Sequence, residues 1–208
     1  WRFVWQRRRS YSLTQEDEEM MMRSVRTSLS HPLQIDELSI DGIDGILGLT
    51  LCPGKTDPYG LTASWRRDLT ADMDIIVEWG ASVVVSLIED SEFDLLQVPD
   101  LGPAVERAGM AWYHLPIRDT MAPGDAFERR WNEEGVKIKD SLSAGERVLL
   151  HCRGGLGRAG TVAARILVEF GYAPDVAIEE VRRARPGAIE NNVQERYVYS
   201  CSSPDSSE

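Results

Sequence analysis

The stretch His151-Cys152-Arg153-Gly154-Gly155-Leu156-Gly157-Arg158-Ala159-Gly160-Thr161 decides how this chain is read. The run Arg147-Val148-Leu149-Leu150 leads into Cys152 and predicts a buried strand. Five residues separate Cys152 from Arg158, and three of them are glycine. An apolar helical pattern comes next. Strand, cysteine, glycine-rich loop, arginine and helix in this order suit a cysteine nucleophile attacking a phosphate ester.

A phosphate needs many N–H donors converging on one point. Glycine tolerates positive φ and the close approach of a ligand, so the backbone from Arg153 through Gly154, Gly155, Leu156 and Gly157 to Arg158 can curl into a cradle. The helix beginning near Arg158 adds free N–H groups and the positive end of its dipole. The same field stabilises a thiolate at Cys152. Arg158 offers a planar fork for two phosphate oxygens. Covalent catalysis through a cysteinyl-phosphate then divides hydrolysis into two steps.

A length of 208 residues bounds the chain to one domain with tails, and 42% hydrophobic content supplies its core. The expected organisation is an N-terminal extension over 1–43, partly mobile, a catalytic domain over 44–200 and a disordered tail over 201–208. No apolar run reaches the length of a membrane span, and no leader is expected from Trp1-Arg2-Phe3-Val4-Trp5 followed by Gln6 and three arginines. Three widely spaced cysteines do not make a disulfide scaffold and suggest a reducing, cytoplasmic setting. A net charge of −11 argues against nucleic-acid binding, so phosphate must be drawn by a local pocket. Arg7–Arg9 and the acidic run 15–19 read as solvated terminus, with docking as the sharper alternative. The three histidines and three cysteines show no ligand spacing, so no metal and no cofactor are expected.

Strands are predicted over 46–51, 82–88, 112–116 and 147–152. Helices are predicted over 65–79, 100–108, 125–142, 161–170, 175–184 and 190–200. The alternation predicts an α/β fold, a mostly parallel central sheet with helices on both faces. Ligands in such sheets sit beyond the strand C-termini, where Cys152 falls.

A general acid must protonate the leaving oxygen. Asp119 is the choice, because it comes after a predicted strand and precedes the loop Ala122-Pro123-Gly124. Asp125 is the second candidate, read rather as a helix cap. His151 is assigned a supporting role, orienting the cysteine loop, and His114 a half-buried strand position. Lys55, Arg66, Arg67 and Arg118 could form a basic rim or be plainly solvated. Cys52 is read as a half-buried thiol, with a disulfide to Cys152 under oxidation as the alternative.

His151–Gly160 resembles the signature loop of the cysteine-dependent protein phosphatases, in their dual-specificity branch. The resemblance extends to the kinase-associated phosphatase group, which dephosphorylates cyclin-dependent kinases. It is carried by Gly48–Lys55, by Val98-Pro99-Asp100-Leu101, by His114–Asp119 and by Arg185-Pro186-Gly187-Ala188-Ile189 followed by Gln194, over roughly residues 44 to 200. It implies a dual-specificity phosphatase-like fold and phosphorylated protein or peptide substrates. Phosphotyrosine comes first, and pocket depth decides whether phosphoserine and phosphothreonine are also taken. It also implies that Asp119 lies on the acid loop and that Gln194 positions the water of the second step. The family carries Ser or Thr after its arginine, to help the sulfur leave, whereas this chain has Ala159. Lipid-directed relatives carry extra lysines in the loop, where this chain adds only Arg153.

Two readings of other kinds compete. A sulfurtransferase of the rhodanese type also ends a strand in a cysteine loop, but has no counterpart of Asp119 or Gln194. A phosphatase fold that binds phosphoprotein without turnover is disfavoured by Cys152, Arg158 and Asp119, and favoured by Ala159.

Overall fold

The structure, a computed structural model, describes residues 25–60 and 63–201. The runs Arg7–Arg9 and 15–19 and the tail 202–208 lie outside the described residues. Among the described residues seven strands form: β1 (Asp36–Ile40), β2 (Ile43–Leu51), β3 (Thr56–Asp57), β4 (Trp65–Arg66), β5 (Ala81–Ser86), β6 (Ala111–His114) and β7 (Arg147–Cys152). The described residues also form seven helices: α1 (Leu69–Trp79), α2 (Asp90–Leu95), α3 (Leu101–Arg107), α4 (Asp125–Ser143), α5 (Gly157–Glu169), α6 (Pro174–Ala184) and α7 (Asn192–Ser200).

The main sheet has five strands in the order β1-β2-β7-β5-β6. β2, β7, β5 and β6 run parallel, and β1 lies antiparallel on the edge. The central strands are apolar on both faces because both are covered. Val148 and Leu150 of β7 and Val83 and Val85 of β5 pack on one side, with α4, α5, α6 and α7. Leu149 and Val84 pack on the other, with Met73 and Ile76 of α1 and Leu101 and Val105 of α3. Each fully buried Val or Leu contributes roughly 1.5–3 kcal/mol. The register sets Leu51 beside Cys152 and Ser86 beside His151, so three parallel strands finish at one edge.

The expected architecture is found, with changed boundaries. Residues 36–40, placed by the sequence in the extension 1–43, form β1 and bury Leu38 and Ile40, so the sheet begins upstream of 44. The helix expected from Trp65 starts at Leu69, where Asp68 caps it by accepting from the Ala71 amide. Trp65 instead pairs with Asp57 in the small β3–β4 ladder, with Arg26, Lys55 and Arg67 around its ring. The helix expected from Thr161 already begins at Gly157.

Candidate active site

β7 ends at Cys152, which is 3% exposed, and its sulfur accepts the Gly155 amide at 3.2 Å. Gly155 has φ +72°, and a Cβ there would lie 2.2 Å from the Thr50 carbonyl oxygen, so no other residue fits. The loop is held from outside by its carbonyls. Lys55 Nζ donates to the Arg153 oxygen at 2.8 Å, and Arg185 Nη2 to the Gly154 oxygen at 3.1 Å. In a trans peptide the N–H points opposite to the C=O. The amides of Gly154 and Gly155 are therefore turned away from these cations, and that of Gly155 reaches the sulfur.

The Arg153 side chain leaves the loop and forms two bonds to Asp57, at 2.9 and 2.8 Å. Burial alone would raise the Asp57 carboxyl, but the Arg153 bonds outweigh it and hold it below the usual carboxylate range. Burial lowers the Lys55 ammonium. Of the expected basic rim, Lys55 is buried against the loop. Arg67 turns inward to a buried pair with Asp72, while Arg66 and Arg118 are exposed.

Arg158, in the first turn of α5, is 2% exposed. Glu92 of α2 holds it with two bonds, 2.5 Å to Nη1 and 3.0 Å to Nη2. Nη1 also donates to the Ile117 carbonyl at 3.1 Å. Burial works against the guanidinium charge, but the Glu92 bond prevails and raises its pKa above the ordinary value.

Asp119 lies beyond β6, and its carboxylate meets Arg158 Nη2 at 2.9 Å. Its amide donates to Glu89 Oε2 at 3.1 Å. Asp125 is the first residue of α4, after Gly124. Gln194 is fully buried near the start of α7. Its Oε1 accepts the Glu190 amide at 2.9 Å and its Nε2 donates to the Met121 carbonyl at 3.4 Å. Gln194 thus lies against both the segment after Asp119 and Gly157, where a Cβ would come within 2.8 Å of its Nε2.

His151 points to the other side of β7, and its Nε2 lies 2.6 Å from Ser86 Oγ, which also accepts from Trp112 Nε1. Burial pushes its pKa down to about 3, so the ring is neutral. Cys52 is fully buried rather than half-buried, and burial raises its pKa. It packs in the α1 and α3 cluster whereas Cys152 packs in the opposite one, although the Cys52 amide donates to the Arg153 carbonyl at 3.4 Å. Ala159 is buried, and the Thr161 hydroxyl is engaged with the Gly157 carbonyl at 2.7 Å.

A cavity of about 340 Å³ opens at this edge. Cys152, Arg158 and Asp119 line it together with Tyr59, Trp65 and Glu190. Four side chains that the sequence alone did not single out complete the surroundings: Asp57, Glu89, Glu92 and Asn191. Glu89 and Glu92 stand at cap and third-position spacing and close a reciprocal capping box on α2. That spacing was a signal for the helix, but not for its reach to Arg158.

A strand-ending cysteine inside a glycine loop, with an arginine at the next helix, on a parallel sheet covered on both sides, defines the class of cysteine-dependent phosphatases. Residues 59–172 match the family described as Tc-R-P, polymorphic toxin system, DSP-PTPase phosphatase, and the chain belongs to this dual-specificity phosphatase family. It is 30% identical over 173 residues to cyclin-dependent kinase inhibitor 3 of Sus scrofa, covering 81% of this chain and 78% of that protein. It is 31% identical over 130 residues to protein tyrosine phosphatase type IVA 3 of Homo sapiens, covering 62% and 69%. Among solved structures, kinase-associated phosphatase with its catalytic-site cysteine substituted by serine superposes with a TM-score of 0.72. The two chains are 27% identical, and the match covers 81% of this chain and 93% of that one. The sulfurtransferase reading is set aside by this membership.

Proposed function

We propose that the chain hydrolyses phosphotyrosine in proteins, with Cys152 as nucleophile, Arg158 and the amides of 153–158 as the phosphate cradle, and Asp119 as general acid. Cys152 sulfur attacks phosphorus, the S–P bond forms and the P–O bond to the phenol breaks. The Asp119 proton passes to the leaving oxygen. Water, oriented by Gln194, then attacks phosphorus, gives its proton to the Asp119 carboxylate and releases the Cys152 thiolate. Arg158 balances charge on the equatorial oxygens. His151 orients the loop through Ser86 and moves no proton. The free cysteines of the described residues support a reducing, cytoplasmic setting.

The observation that carries this reading is the meeting of Asp119 and Arg158 at 2.9 Å on the wall of the cavity that also holds Cys152. The likeness to proteins named as tyrosine phosphatases supports the substrate class. Hydrolysis of a phosphotyrosine peptide and of p-nitrophenyl phosphate by wild type and Cys152→Ser tests it. Turnover abolished in the variant is expected. Folded, reduced wild type that binds phosphopeptide without turnover would replace this reading by that of a phosphoprotein-binding module.

A further inference from the structure

We propose that Asn191 is a positioning residue for the acid loop, tying it to the helix that carries Gln194. The inference rests on the reading of Asp119 as the acid. Asn191 uses both ends of its side chain. Oδ1 caps α7, accepting the amides of Val193 and Gln194 at 3.0 Å each. Nδ2 crosses to the acid loop and donates to the Thr120 carbonyl at 2.9 Å.

Thr120 is the residue through which that bond acts on Asp119. Its φ of +61° is left-handed, a conformation that costs a β-branched residue. Its amide donates to Asp119 Oδ1 at 3.0 Å and its hydroxyl to the Asp119 carbonyl at 2.6 Å. A carboxylate oxygen that meets Arg158 is therefore fixed by a residue whose own carbonyl Asn191 holds. Glu89 holds the other side, at the Asp119 amide. The Asp119 and Thr120 side chains are exposed, so packing does little to fix this turn.

The chemistry of the cap argues the same way. Ser, Thr, Asp and Asn all supply a cap acceptor, but of these only Asn adds an amide donor of this reach. A cap alone does not call for Asn. A cap joined to the acid loop does. By the same bond the element placing the second-step glutamine and the loop placing the first-step acid move as one.

The test separates capping from clamping. Asn191→Asp keeps the cap acceptor, removes the donor and sets an oxygen against the Thr120 carbonyl. Asn191→Ser, also a good cap, carries the test if the aspartate variant does not fold. Each is compared with wild type and Asp119→Asn on phenyl phosphate, a poor leaving group, and p-nitrophenyl phosphate, a good one. Expected is a loss in kcat/KM, which reads formation of the cysteinyl-phosphate and not its breakdown, of about three- to tenfold on phenyl phosphate, the scale of one hydrogen bond, and less than about twofold on p-nitrophenyl phosphate, which needs little protonation. Thermal melting falls by no more than a few degrees in Asn191→Ser, the scale of one lost hydrogen bond. Equal losses on both substrates, or none, while Asp119→Asn still discriminates between them, would overturn the clamp alone. Equal losses in Asp119→Asn would overturn the acid assignment and this inference with it.

Discussion

Glu92 grips Arg158 with both carboxylate oxygens, at 2.5 and 3.0 Å, at the start of the helix after the glycine loop. Both partners are almost fully buried. The pair fixes the guanidinium plane before any phosphate arrives, which is the kind of preorganisation that electrostatic catalysis needs. Removing Glu92 leaves the buried guanidinium with only the half-exposed Asp119 as its counter-charge.

Glu92→Ala is therefore expected to lose about 3–5 kcal/mol of stability, read by urea unfolding. Glu92→Gln keeps one acceptor and its shape. Its stability loss should be smaller, while kcat/KM for p-nitrophenyl phosphate falls by about tenfold or more as Arg158 loses its second anchor. A Glu92→Gln enzyme with wild-type kcat/KM would remove the anchoring role.

The turn at Gly155 tolerates nothing larger. Its positive φ and the Thr50 carbonyl 2.2 Å from the place of a Cβ act together. Gly155→Ala should either shift the loop or fail to fold stably, with phosphatase activity lost in both cases. Gly154→Ala meets nothing within 4 Å and serves as the control for folding alone, since Gly154 itself lines the cavity. Binding of vanadate, an inert phosphate mimic, measured by calorimetry reads the loss in Gly155→Ala, and urea unfolding reads the fold of both variants.

His151 gives a pH dependence whose sign is fixed by its burial. The folded ring holds its pKa down to about 3 through burial first, with the Arg158 charge adding to it and a hydrogen bond to the Cys152 backbone opposing it. In the unfolded chain the ring titrates near 6.5. Between these values the unfolded state binds the extra proton, so stability falls as pH falls, by at most about 1.4 kcal/mol per unit from this one group. Above the unfolded value the effect is absent. Urea unfolding between pH 6.5 and 4 should show a shallower slope in His151→Gln than in wild type. Parallel slopes would mean that the ring is protonated when folded.

The signals that were legible in the sequence were local ones. β7 and the loop after it were readable because an apolar run, a cysteine and clustered glycines sit side by side in the chain. The edge strand β1 was hidden: Asp36–Ile40 alternates charged or polar residues with Leu38 and Ile40, which it buries against β2, where Leu38 is paired with Leu47 and Ile40 with Ile43. Trp65 misled because one aromatic at helical spacing looks the same whether it continues a helix or plugs a small ladder. The polar partners were hidden for another reason. Glu92 reaches Arg158 across sixty-six residues of chain and Asn191 reaches Thr120 across seventy-one. Nothing in a single sequence marks such a meeting. The helix caps could be suspected from spacing, but not the second bond that each cap residue makes.

Ala159 is where the chain departs from its family's pattern. The residue is fully buried directly after Arg158, and the nearest hydroxyl along the helix, that of Thr161, is committed to the Gly157 carbonyl at 2.7 Å. No side chain of α5's first turn is then left to donate to the departing sulfur. With the Gly155 amide as its donor and no hydroxyl beside it, the thiolate leaves more slowly, so breakdown of the cysteinyl-phosphate should limit turnover. Stopped-flow mixing with p-nitrophenyl phosphate is expected to give a burst of about one p-nitrophenol per enzyme, and then a slower steady rate. Ala159→Ser restores the donor and should raise the steady rate by about ten- to a hundredfold, the scale of a hydrogen bond to a charged group, while shrinking the burst. The added hydroxyl costs about 1–3 kcal/mol of stability if it finds no partner, so unfolding of the variant shows whether it is bonded. A wild-type time course that is linear from the first turnover would place the slow step at attack by Cys152 instead.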